Sequence, residues 1–371
     1  APDIFFDTGD FFAKFVDKGY FADINKYLTP EYKQRFGDGG FIEGINVIGG
    51  KTYSLPAIGT TPRLIYNKDI FKKAGIAEPP KSIEDMVKYS KEITNKLKGE
   101  GIYGFAANLK SPAGALTRSV IQILERSGVP VKEGFDFSQG KYDFTPYKPI
   151  LNAYKEILTS GAAFPGCEAL DIDPLRTQFA NGKIGMYISW THSEPAVYKN
   201  QFQTKENWDM APLPTIDGKV NGSQDINLSN KWLYVSGKSN NQDKAWKVMQ
   251  MFYSDEYLAG YYENGLSIIT VPSALKIAKV PETVQKIPAL AFDAKDQTWP
   301  SIPAGVTPEG QNYAQVFSAI IFGADKNIDS SLENLNKRYN DAYDKAVADG
   351  KTKKIQYAGF DPANPGKSIS K

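Results

Sequence analysis

Between residues 51 and 257, apolar runs of four to six residues alternate with amphipathic stretches of ten or more. Gly, Pro or a capping side chain punctuates most of them. This alternation constrains the fold more than any single motif, because strands joined by helices build an α/β protein with largely parallel sheets. A chain of 371 residues is also longer than one hydrophobic core grows, so two domains are expected. No repeat or low-complexity linker divides it, which implies that the chain crosses between lobes more than once.

Local signals place the elements. Residues 4–6 read as a short strand, and 10–18 as a helix with Phe11, Phe12, Phe15 and Val16 inward, stopped by Gly19. Residues 51–55 and 63–66 read as strands, the first ended by Pro56. Asn67 or Asp69 caps a short helix that Gly75 terminates. Ser82 with Asp85 opens a long helix whose apolar positions are Ile83, Met86, Val87, Ser90, Ile93 and Leu97. A second long helix spans 113–126. Asp173-Pro174 reads as a cap and first helical residue, leading to the strand 183–189. Residues 210–214, closed by prolines, read as an edge strand. Helices follow at 244–257 and 332–348, the latter capped by Ser330 with Glu333.

Composition removes several functions. Lys plus Arg total 44 against 42 Asp plus Glu, so there is no basic excess for nucleic acid. Cys167 is the only cysteine, which excludes an internal disulfide and a multi-cysteine metal cluster. No stretch has the apolar length of a membrane span. The abrupt opening on Pro2-Asp-Ile-Phe-Phe6 leads us to expect further sequence upstream. Aromatic residues are plentiful, with 21 Tyr, 21 Phe and 5 Trp. Many stand beside Gly, Pro or Asp at strand ends, where a flat face with a polar edge suits a sugar ring.

The motifs of common chemistries are missing. There is no dinucleotide or phosphate-binding glycine loop, no nucleophile elbow and no His-Glu-x-x-His helix. His192, the only histidine, has no nucleophile turn beside it; it either donates a hydrogen bond near a binding site or lies on the surface. Asp7 and Asp10 form the obvious acidic pair, with Glu309 as a third carboxylate. These either serve a glycosidase, accept hydrogen bonds from ligand hydroxyls or, for Asp10, cap a helix. Asp325, Asn327, Asp329 and Glu333 are spaced only loosely like a calcium loop and read better as a solvated loop with helix capping. No cofactor is expected. Trp190 ends a glycine-punctuated strand and precedes Thr191-His-Ser-Glu-Pro195, a helix start whose free N–H groups can meet ligand oxygens. It is the leading stacking platform, ahead of Trp232, Trp299, Tyr53 and Tyr66. Trp208 and Trp246 read as structural.

Taken in order, Pro2-Asp-Ile-Phe-Phe6, Tyr53-Ser-Leu-Pro56, Ile65-Tyr-Asn-Lys-Asp69, Phe179-Ala-Asn-Gly-Lys-Ile-Gly-Met186 to Trp190, Ala211-Pro-Leu-Pro214 and Gly265 ahead of Val271-Pro272 form a recognisable series. With this series the chain resembles the extracellular solute-binding proteins of bacterial ABC importers, in the large sugar-binding group that includes the maltose-binding protein. The resemblance implies two α/β lobes around a ligand cleft, with crossings near Thr60, 227–231 and 301–307. The first lobe would hold 1–59 plus 233–302 and the second 62–230 plus 307–371. It also implies a strand and helix ahead of Pro2 that complete the first lobe. By position it assigns ligand contacts to Asp10, Thr60, Trp190 and Trp299. Asp7 stands where maltose binders have an aromatic, and Thr60 where some members have a glutamate, which points to a glycan other than maltose.

The expected function is non-catalytic: a monomeric extracellular receptor delivers a sugar, as an oligosaccharide, to ABC permease subunits. It would sit at the cell surface as a lipoprotein, or in the periplasm, with any lipid anchor outside these residues. A glycoside hydrolase using Asp7, Asp10 or Glu309, and a surface glycan-binding adhesion protein, are the alternatives.

Overall fold

The computed structural model describes residues 2–7, 12–37, 40–191, 193–228 and 232–369, without the side chains of Asp7, Trp232 and Ile369. The chain forms two compact units. The first comprises 1–61, 226–292 and 298–301; the second comprises 62–225, 293–297 and 302–371. Two short pieces thus fall differently from the boundaries expected by resemblance. Residues 226–230 join the first unit, where Asn227 bridges to Thr60. Residues 293–297 join the second, where Asp296–Gln297 pairs in parallel with Gln224–Asp225.

In the first unit, strand Ile4–Asp7 runs antiparallel to Trp232–Val235. Leu233 and Val235 enter a core containing Leu55, Trp246, Met249, Tyr253 and Ile269. Tyr234, pointing the other way, enters a second core with Phe12, Phe21 and Tyr53. Side chains alternate across a strand, so this one buries both faces. Phe21 stacks on Tyr234 at 4.0 Å. Trp246 is interior, stacked on Tyr27 at 5.1 Å. The single helix expected over 244–257 is two, Gln242–Phe252 and Asp255–Glu263. Ser254 lies between them in extended conformation and its side chain accepts the Tyr257 N–H at 3.2 Å, so an N-cap interrupts the apolar period.

The second unit is built on a four-stranded sheet in the order Trp208–Ala211, Pro62–Asn67, Ile184–Trp190, Tyr103–Phe105. Of its ladders only the Ile184–Trp190 pairing with Tyr103–Phe105 is parallel. The expectation of largely parallel sheets is therefore corrected: helix–strand alternation does not by itself set strand direction. Strand 208–211 is an edge, as its prolines imply. Helix Ile83–Leu97 has the expected reciprocal cap, with Asp85 N–H donating to Ser82 Oγ at 3.0 Å and Ser82 N–H to Asp85 Oδ2 at 3.2 Å. It buries Ile83, Met86, Ser90, Ile93 and Leu97. At Gly104 a Cβ would stand 2.2 Å from the Ser90 carbonyl oxygen, so only glycine lets this strand meet the helix.

Helix 112–126 is continuous but widens over Thr117–Ile121 into a π-turn. Two expected caps shift by about half a turn or more. Asp171, not Asp173, caps Ile172–Ala180, and Asn327, not Ser330, caps Ile328–Ala348. Asn327 Oδ1 accepts the Ser330 N–H, and Asp325 Oδ1 accepts the Asn327 N–H at 2.9 Å. These bonds make 325–327 a capping loop ahead of the helix, which takes in 328–333, and among the described residues no three acidic, His or Cys side chains are placed to hold a metal ion.

Candidate ligand-binding site

Trp190 is the last residue of strand Ile184–Trp190 and pairs with Pro62, the first residue of its neighbour. The strand is buried through Ser189, and Trp190 alone is partly exposed, so the sheet presents its indole at a rim. The turn that follows is anchored from below by Glu194, whose carboxylate is fully buried. Glu194 Oε1 accepts from Ser189 Oγ at 2.5 Å and Arg176 Nη2 at 2.7 Å; Oε2 accepts from Tyr187 Oη at 2.8 Å and Arg176 Nε at 3.1 Å. Arg176 Nη2 also donates to Ser193 Oγ at 2.9 Å. Tyr187 and Tyr198 share a 2.5 Å hydroxyl contact.

Three elements thereby fix the backbone on both sides of Trp190: the strand, helix Ile172–Ala180 and the turn itself. A stacking group held this way loses little freedom when a ring settles on it. Burial would favour a neutral arginine at position 176, but the Glu194 hydrogen bonds and charge outweigh it and raise its pKa. Burial, and next the Glu194 charge, push the Tyr187 phenol well above its usual range. Arg118 lies close by. Its Nε donates to the Ile188 carbonyl at 3.3 Å, Nη1 to Gly114 at 3.3 Å, and Nη2 to Asn108. Burial lowers its pKa to about 10, partly offset by Glu194. All these groups are consistent with a positioned, charge-compensated platform rather than an exposed acid–base pair.

The remaining expected residues are distributed as follows. Asp7 and Trp232 are cross-strand partners in the first unit, so their backbones lie side by side. Tyr53 is buried there, edge-on to Phe12 at 5.9 Å. Thr60 is buried and exchanges backbone hydrogen bonds with Asn227 at 3.1 and 2.8 Å. Trp299, read from the sequence as a loop aromatic without a core role, is fully buried; that part of the reading is corrected, because 298–301 packs into the first unit. Tyr66, a lesser candidate, packs on Phe71 at 5.1 Å. Glu309 is exposed in the second unit, and its loop is tied down by Arg338, which donates to the Glu309 carbonyl and, at 2.8 Å, to that of Gln311. Asp10 and His192 lie outside the described residues.

Sequence reading missed Glu194, Arg176 and Arg118. An acid before a proline and two arginines in helical surroundings look like surface residues, and only the tertiary contacts reveal them as buried.

The chain belongs to the bacterial extracellular solute-binding protein family, whose model matches residues 1–259. A putative binding protein of Brucella abortus is 25% identical over 256 residues, 67% of this chain and 58% of that relative. The chain thus spans little more than half the length of that relative. The diacetylchitobiose binding protein DasA of Streptomyces coelicolor is 27% identical over 220 residues, 58% of this chain and 48% of that protein. Among solved structures, an ABC transporter solute binding protein from Thermotoga lettingae, bound with alpha-D-tagatose, superimposes with a TM-score of 0.64. That pair is 18% identical, covers 92% of this chain and 85% of the other, and shows that the two share a fold. Among the described residues no helix is long and apolar enough to cross a membrane.

Proposed function

We propose that this chain is the carbohydrate-capturing component of an ABC importer, binding an oligosaccharide outside the membrane and passing it to a permease without chemical change. Family membership supports the binding role. The observation that carries the sugar reading is the partly exposed Trp190 at the end of a buried strand, held by the Glu194 network. An indole fixed at a rim offers a ring face to the C–H side of a sugar, while neighbouring polar groups orient hydroxyls. In the first unit, the paired strand ends at Asp7 and Trp232 are further candidates, with Asp10 three residues after Asp7; His192 stands two residues after Trp190 in the second unit. Tyr53, Thr60 and Trp299 act from the interior, by shaping the first unit. The diacetylchitobiose reported for the Streptomyces relative makes it the first ligand to try.

A hydrolytic reading through Glu309 finds little support. A retaining or inverting glycosidase needs one carboxyl with a raised pKa in a protected setting, whereas Glu309 is exposed. Export to the cell surface or periplasm, as a lipoprotein in the former case, accords with the family and with import as the task. The experiment is a thermal-shift screen over neutral oligosaccharides, because a ligand that binds only the folded chain raises its melting temperature. Chromatography of the recovered ligand completes it. A shift with intact sugar supports the reading; cleavage products, or no shift across the panel, overturn it.

A further inference from the structure

The two parallel strands of the second unit leave the sheet at the same end. Tyr103–Phe105 runs parallel to Ile184–Trp190, and the Ala106 N–H still donates to the Met186 carbonyl at 3.1 Å. The chain after Ala106 therefore emerges on the rim that carries Trp190, at the carboxyl end of both strands, where open α/β sheets hold their ligands. Asn108 is the first polar side chain to follow. Its neighbours are pinned, the Leu109 N–H on the Cys167 carbonyl at 3.0 Å and the Lys110 N–H on that of Leu170 at 3.2 Å. Asn108 keeps 7% of its surface exposed, and the segment after it is open to solvent at Lys110, Ser111, Ala113 and Gly114.

Arg118 decides which way the Asn108 amide faces. It stands in the π-turn of helix 112–126, a feature frequent at functional sites. Its Nη2 donates to Asn108 Oδ1, so the amide is fixed in one sense and the N–H groups of Nδ2 face away from the guanidinium. The same guanidinium donates to the carbonyls of Ile188, two residues before Trp190, and of Gly114 in the first turn of the helix. One guanidinium thus joins the amide to the strand that presents Trp190. Among the described residues Nδ2 has no hydrogen-bond partner, and it is not sealed from solvent. Arg118 itself is 8% exposed, its acceptors are all neutral, and among the described residues no carboxylate is in ion-pairing contact with it. A buried charge is usually paired, because desolvating it is costly. Here the charge instead locks a donor at the rim. A sugar hydroxyl both gives and accepts, and needs no such lock; an oxygen that only accepts does.

We propose that Asn108 is a specificity-determining residue of the Trp190 site, donating from Nδ2 to a sugar oxygen that can only accept (a ring, bridging or acetamido carbonyl oxygen), with Arg118 as its positioning residue. The inference rests on the reading that this unit binds a carbohydrate.

The test is calorimetric titration of the wild type, Asn108→Asp, Arg118→Lys and the double variant with diacetylchitobiose and maltotriose. Asn108→Asp is nearly isosteric and gives Arg118 a carboxylate, so it folds at least as stably, which a melting curve without ligand checks. It also turns the outward donor into an acceptor. The expected result is about 10-fold or greater loss of affinity in Asn108→Asp, on diacetylchitobiose alone if the oxygen is the acetamido carbonyl and on both sugars if it is a ring or bridging oxygen. Arg118→Lys keeps the charge without the fork; it should weaken binding about 5-fold or more on its own and by less than about twofold beside Asn108→Asp. Asn108→Asp within about twofold of the wild type overturns the donor and leaves the sugar reading standing. Equal weakening by Arg118→Lys in both backgrounds overturns its positioning role. Wild-type protein that binds neither sugar overturns the sugar reading itself, and this assignment with it.

Discussion

Replacing Glu194 by alanine is the sharpest perturbation available in the second unit. The substitution leaves Arg176, whose side chain is 11% exposed, without its buried counter-charge, and it strips Ser189 and Tyr187 of their acceptor. Removing one member of a buried ion pair typically costs about 3–5 kcal/mol, most of it from the charge left behind. The two hydroxyls each lose a bond worth about 1 kcal/mol, though partial relaxation keeps these from adding fully. We therefore expect a loss of about 3–5 kcal/mol, or about 10 °C in melting temperature for a domain of this size. Urea titration followed by tryptophan fluorescence and far-ultraviolet circular dichroism reads it. Because the chain has two units, the second unit's transition should move while the first unit's midpoint stays. Pairing Glu194→Gln with Arg176→Met removes both charges and should recover at least half of the loss. A cost below about 1 kcal/mol for Glu194→Ala, or no recovery in the pair, would refute the claim that this carboxylate anchors the turn after Trp190.

Three further outcomes are expected. Arg63 Nη1 and Nη2 grip Asp296 at 2.9 and 2.5 Å with both side chains buried, so Arg63→Met should cost about 3–5 kcal/mol in equilibrium unfolding and Arg63→Met/Asp296→Leu much less. Because the folded pKa of Glu125 is raised, its contribution to stability is full below the ordinary carboxylate range and is lost as pH rises through the folded value; Glu125→Gln should leave stability near pH 4 little changed and raise it at neutral pH, which denaturant midpoints against pH will show. At Gly134 a Cβ would come within 2.2 Å of the Phe144 ring at a φ of 86°, so Gly134→Ala should lose about 2–5 kcal/mol by urea unfolding.

What the sequence revealed was mostly what depends on near neighbours. The Ser82–Asp85 box and the Asn67 cap with Gly75 at φ 79° involve partners within a turn or two, and their residue types are tied to that geometry. The apolar period of Ile83–Leu97 and the rim position of Trp190 were legible for the same reason. Features set by tertiary contact were not. Glu194 reads as one more charged residue until Arg176, 18 positions earlier, is brought against it. Trp299 follows a loop pattern, and only the packing of 298–301 reveals its full burial. Strand direction was misread because Pro62–Asn67 and Ile184–Trp190 run antiparallel despite the intervening helices.

On the proposed reading the chain binds a sugar through Trp190 and does not transform it. Isothermal titration of wild-type protein and Trp190→Ala with diacetylchitobiose, followed by chromatography of the recovered sugar, tests it most directly. The expected result is saturable wild-type binding, at least 10-fold weaker binding by Trp190→Ala with an unchanged melting temperature, and intact ligand throughout. Equal affinity in the two proteins, or shortened sugar in the recovered fraction, would contradict it.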